Sequence, residues 1–119
     1  MSSWTGSSTT VNAVFTHGTT TSLVIKTTGG TTLNLGTITL GDTSTPYVSS
    51  GSKTDTASIS MTTNASNQSV VTVTLTSNAG MTAHTAATVL TWTPVAAATN
   101  TGGTASSTTA VTSSSKENF

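Results

Sequence analysis

The chain has 119 residues and a formal net charge of zero, with 33 threonines and 19 serines against six charged side chains and no arginine or cysteine. Three scattered lysines cannot build the basic face that nucleic acid requires, the absence of thiols excludes a disulfide scaffold and a Cys-type zinc site, and no apolar run approaches the ~18 residues of a membrane span. Leu, Ile, Val and Phe supply only 21 residues, near the level that signals disorder. That signal presumes high net charge, and here the apolar residues are patterned among β-branched threonines that favour strands. An ordered β domain is therefore expected over residues 10 to 97.

Taken in chain order, strict alternation marks the strands. Residues 1 to 10 are polar apart from Trp4 and read as an N-terminal arm. Val11, Ala13 and Phe15 share one face of a first strand, and Leu23 and Ile25 mark a second. Leu33 and Leu35 mark a third, which Ile38 and Leu40 continue after a phase slip at Gly36-Thr37, the sequence form of a β-bulge. Gly41 to Asp55 reads as a long connection. Ala57, Ile59 and Met61 give a fourth strand and Val71, Val73 and Leu75 a fifth. Leu90 and Trp92 give a sixth, closed by Pro94, and a faint seventh surrounds Val111. Residues 11 to 112 form the expected domain, and 113 to 119 a tail ending in Phe119.

Opposed residues of an antiparallel pair lie on one face, so each hairpin can be tested by register. Setting Ile25 against Leu33 and Leu23 against Leu35 leaves the loop Thr28-Gly29-Gly30. Such a loop uses a type I turn followed by a left-handed residue, a place that suits Gly30. Setting Met61 against Val71 aligns Ile59 with Val73 and Ala57 with Leu75, and leaves the five-residue loop Asn64–Gln68. The expected core is Phe15, Leu23, Ile25, Leu33, Leu35, Ile59, Val71, Val73, Leu75, Leu90 and Trp92. Trp92 serves there as the one large aromatic filler. Six or seven short strands with polar connections fit a two-sheet sandwich, with a small barrel as the alternative.

Chemistry finds little support. His17 and His84 have no serine in a Gly-x-Ser-x-Gly elbow, so no catalytic residues are assigned and both imidazoles are expected to face solvent. Asp42, Asp55 and Glu117 lie far apart, whereas calcium loops gather several carboxylates, so no metal or other cofactor is expected. Asn64-Ala-Ser66 and Asn67-Gln-Ser69 fit the glycosylation pattern but read as turn residues. Tyr47 and Trp4 are the only aromatics that suit a sugar-binding platform. The start Met-Ser-Ser-Trp lacks a basic segment followed by an apolar one, and cytoplasmic synthesis is expected beside an outdoor-looking surface of hydroxyls.

From Leu90 the chain reads Leu-Thr-Trp-Thr-Pro-Val-Ala-Ala-Ala-Thr-Asn-Thr-Gly-Gly-Thr-Ala-Ser-Ser-Thr-Thr. This resembles the last strands of bacterial immunoglobulin-like domains, in which an aromatic strand end precedes a turn of the Asp-x-x-Gly-Asn kind. Asn100, Gly102, Gly103 and Thr104 occupy that turn, with Asn100 in the place of the usual Asp and Thr104 in that of the usual Asn. The short domain ending in a charged residue and Phe119 also resembles small virion proteins of tailed phages, including capsid decoration proteins of actinobacterial phages. The resemblance implies an immunoglobulin-like antiparallel β-sandwich of six to seven strands with extended terminal arms. It also implies a non-catalytic virion protein on the outer capsid surface. Its partners would be the major capsid protein and neighbouring copies of itself, with no nucleic acid, membrane or small-molecule substrate. Trp4 and Phe119 are the expected partner contacts. The alternative is a tail-tube, minor tail or fibre-associated immunoglobulin-like module for cell-surface or carbohydrate adhesion.

Overall fold

The computed structural model describes residues 8–41, 46–66, 69–76, 81–82, 88–97, 103–105 and 107–114. Its elements are β1 (Thr9–Thr16), β2 (Ser22–Lys26), β3 (Thr37–Leu40), β4 (Ser52–Thr63), β5 (Ser69–Leu75), β6 (Leu90–Thr93) and β7 (Val111–Thr112), with no helix among the described residues. All pairings are antiparallel, and the strands form one sheet in the order β5-β4-β1-β2-β3-β6-β7. The sheet curls, so the core lies inside its concave face. A division into two separate sheets is not what this ladder shows.

β1 carries much of the core on its inner face. Val11, Ala13 and Phe15 are all buried, and the strand is paired on both sides, to β2 and to β4. Its register sets Phe15 opposite Leu23 and Ala13 opposite Ile25 on one side, and Val11 opposite Ala57 on the other. These residues, with Ile59, Leu40, Tyr47 and Val48, form the core. Leu33, Leu35, Val73, Leu75 and Leu90 pack against it half-buried.

The β4–β5 hairpin has the register expected from the sequence: Met61 opposite Val71, Ile59 opposite Val73 and Ala57 opposite Leu75. Its turn opens with an Asx contact, the Ser66 N–H donating to Asn64 Oδ1 at 3.0 Å; Asn67 and Gln68 lie outside the described residues. The loop after β2 also matches. Gly30 N–H donates to Thr27 C=O at 2.9 Å, Thr27 N–H donates to Thr31 C=O at 2.8 Å, and Gly30 has φ +91°, the left-handed conformation that glycine adopts at least cost.

Beyond that loop the expected register soon fails. It holds for the first pair, where Lys26 lies opposite Thr32 and Leu33 N–H donates to Ile25 C=O at 2.9 Å, but Leu23 lies opposite Ile38 and not Leu35. Three steps along β2 thus correspond to six on the partner, an excess of three residues. The surplus is taken up at Leu33–Gly36, where Leu35 N–H donates to Leu33 C=O at 2.8 Å and Gly36 has φ +85°. A β-carbon on Gly36 would lie 2.2 Å from the Thr93 carbonyl oxygen. Glycine here answers both the backbone conformation and the close approach to the end of β6.

The connection from β3 to β4 is part of the core. It crosses from β3 to the far side of β1, and it buries Tyr47 and Val48 fully. Its backbone is held from two sides: Thr82 N–H donates to Tyr47 C=O at 2.9 Å, and His17 Nδ1–H donates to Val48 C=O at 2.7 Å. The sequence marks a long connection here but not its burial, because two adjacent apolar side chains carry no periodicity. Both ends of the domain also differ from expectation. Thr9 and Thr10 belong to β1, opposite Ile59 and Ser58. Ser113 is tied to β6 through its N–H to Leu90 C=O and its hydroxyl, which accepts from Leu90 N–H.

Candidate functional site: an apolar groove beneath an oriented indole

The curl brings β5 opposite the β3 and β6 end of the sheet. Between them lies a groove of about 360 Å³ whose walls include Val71 and Val73 from β5, Leu23 and Ile25 from β2, and Ile38 and Trp92 from β3 and β6. Alternation explains the lining, since each contributes from the concave face of its strand.

Trp92 is not a core filler. It is 44% exposed, at the rim of the groove. Its place follows from its two chemistries. The ring packs beside Ile38, directly opposite in β3, while the indole N–H needs an acceptor and finds the Leu35 carbonyl at 2.6 Å. That acceptor is available because the surplus residues at Leu33–Gly36 leave the ladder. Leu90, two residues earlier on the same face, is the half-buried member of the pair. Val111 lies opposite Trp92 in β7 and is exposed, as are Val89 and Val95. Trp92 and Val111 thus form an uncharged, exposed apolar pair across β6 and β7.

Val71 is likewise corrected from core to surface. It is 37% exposed, because β5 is an edge strand and a concave-facing residue there has a neighbour on one side only. Val70 beside it is exposed on the opposite face.

Three polar residues of the core escaped the sequence reading. Asp55 is 1% exposed, opposite Ala13 and in line with Ala57 and Ile59; Thr21 and Tyr47 are equally buried. Each has interaction partners. Asp55 follows the alternation of β4 and could have been placed from it, had a carboxylate been admitted to an apolar face. Tyr47, being buried, offers no platform to a sugar. His17 is exposed as expected, but its ring nitrogen is engaged with Val48. Trp4, His84, Asp42, Asn100, Gly102, Glu117 and Phe119 lie outside the described residues.

Among the described residues there is no group of three or more His, Cys, Asp or Glu that could hold a metal ion. No family model, no curated protein and no solved structure matches the chain.

Proposed function

We propose that the chain is a non-catalytic structural virion protein, a capsid decoration protein that binds the outer surface of a phage shell through the exposed apolar pair of Trp92 and Val111. The observation that carries this reading is the exposed indole, held in one orientation by Leu35 on an antiparallel sheet and flanked by the exposed Val111, with no charged residue in β6 or β7. Large aromatics already fixed in place make good contact anchors, because little side-chain freedom is lost on binding. The resemblance of residues 90 to 109 to bacterial immunoglobulin-like domains, and of the short domain to small phage virion proteins, supports the same reading, as does a hydroxylated, charge-poor surface suited to dense arrays. The major capsid protein would cover Trp92, with Trp4 and Phe119 as further contacts.

The oriented indole above a groove also favours a second reading, adhesion to carbohydrate by a tail- or fibre-borne module. Trp92 would then serve as the stacking platform that Tyr47 cannot provide.

Protein quantitation of purified virions from the encoding phage separates the two. A decoration protein is present in hundreds of copies on the head, a fibre module in a handful on the tail. Absence from the particle overturns both.

A further inference from the structure

The outer edge of β5 is open: among the described residues β5 pairs with β4 alone. It is seven residues long, Ser-Val-Val-Thr-Val-Thr-Leu, with no charge and no proline. Natural edge strands are usually blunted by shortness, lysine, proline or a bulge. The opposite edge, β7, has only two residues. β5 has none of these protections.

The direction of its backbone groups can be worked out. Thr76 N–H donates to Thr56 C=O at 2.9 Å, one step beyond the Leu75–Ala57 pair. Hydrogen-bonded and non-hydrogen-bonded pairs alternate along an antiparallel ladder. Val70, Thr72 and Thr74 therefore direct their N–H and C=O groups toward β4. Ser69, Val71, Val73 and Leu75 direct theirs outward.

We infer that this edge pairs with β5 of a second copy, antiparallel, about a two-fold axis through Thr72. Outward-facing residues must oppose one another, and the register with the longest overlap sets Ser69 against Leu75 and Val71 against Val73 of the second copy. Every outward donor of the strand then meets an outward acceptor. Val71 gains an apolar neighbour on the concave face, and Val70 meets the methyl of Thr74 on the other. Both exposed valines are covered by one operation, and no charge is brought against its like. The two sheets become one, and their grooves adjoin. A seven-residue edge is roughly 23 Å long, and the contact is smaller than the ~800 Å² per partner of a standard interface, so pairing depends on concentration. The inference rests on the edge geometry and is independent of the virion reading.

The chain has no cysteine, so a single introduced cysteine can form a disulfide only between copies. At the axis, Thr72 of each copy forms a non-hydrogen-bonded pair with Cα atoms ~4.5 Å apart, within the disulfide range. Thr74 and its counterpart lie about 13 Å apart along the strands, beyond that range, although Thr74 is exposed on the same face. In mild oxidant, Thr72→Cys should yield covalent dimer at least roughly tenfold faster than Thr74→Cys. Sedimentation of the unmodified protein should show dimer growing with concentration. Val71→Pro removes an outward N–H without touching the β4 ladder, and Val71→Lys places a charge on the concave face against Val73 of the second copy. Each should abolish the dimer while far-UV circular dichroism stays unchanged, and the lysine variant decides the matter if the proline variant unfolds. Equal oxidation rates at 72 and 74, a dimer that survives in the folded variant, or monomer alone up to about 1 mM would overturn the inference.

Discussion

The indole of Trp92 donates to the backbone carbonyl of Leu35, 57 positions away, at 2.6 Å. One contact thereby ties β6 to the irregular stretch that feeds β3, and it fixes the attitude of the largest exposed side chain on the described surface. Trp92→Phe keeps most of the ring and deletes the donor. It is expected to cost about 1 kcal/mol of stability, measured by urea denaturation. If the chain decorates a capsid as proposed, Trp92→Ala should leave the domain folded but weaken attachment to shells by at least roughly tenfold, as loss of an aromatic anchor does. Cosedimentation with shells stripped of the protein measures this, and wild-type attachment of the alanine variant would exclude Trp92 as an anchor.

Gly36 and Gly30 provide a matched pair. Both have positive φ, but a β-carbon on Gly30 meets nothing within 4 Å, while on Gly36 it would collide with the backbone of Thr93 and Pro94. Gly30→Ala should cost about 1 kcal/mol, the conformational penalty alone. Gly36→Ala should cost about 3 kcal/mol or more, since neither partner in the clash is a flexible side-chain end. Equal denaturation midpoints for the two variants would refute the close packing of Leu33–Gly36 on β6.

Tyr47 tests whether the connection between β3 and β4 is structural. Its side chain is fully buried against Phe15 and its neighbours in one cluster. Tyr47→Ala should destabilise the domain by about 3–5 kcal/mol, as truncation of a buried aromatic does. An exposed polar loop would lose less than about 0.5 kcal/mol. Calorimetric unfolding distinguishes the two.

Asp55 is the buried carboxylate of β4. Asp55→Ala removes a fully buried carboxylate together with the interaction it makes, and a loss of about 1–3 kcal/mol is expected. Asp55→Asn keeps the shape and an acceptor oxygen and should fall between alanine and wild type. An alanine variant as stable as wild type would mean that the carboxylate bears no structural load.

The parts of the fold that were legible in the sequence are those governed by the two-residue period and by turn chemistry. Both the β4–β5 register and the Gly30 turn follow from apolar alternation plus one glycine. The alternation also marks which face Trp92 and Val71 occupy, and both do line the concave side. Depth was not legible: a face pattern cannot tell a residue in a strand with neighbours on both sides from one at the margin. Asp55 sat in the right phase but was the wrong chemical type. Tyr47 and Val48 lie in no strand, so their burial depends on the path of the connection across the sheet. The surplus at Leu33–Gly36 appeared in the sequence as a one-residue slip. A slip of one and a slip of three shift the faces alike, so the pattern could not distinguish them.

The place of β1 between β2 and β4 dictates an order of assembly. The β1–β2 pairing closes a short loop, whereas Thr9 reaches Ile59 only across fifty positions of chain. Closing a longer loop costs more entropy, and non-local pairing slows folding. The two hairpins, β1–β2 and β4–β5, are thus the early local units, and the β1–β4 seam is the late step that joins them. During synthesis the edge of β1 that β4 will cover becomes fully paired only after Ile59 has left the ribosome. Over that interval the strand that carries Val11, Ala13 and Phe15 shows a bare hydrogen-bonding edge, and the dwell time of that edge sets how readily nascent chains cross-pair before any finished domain exists.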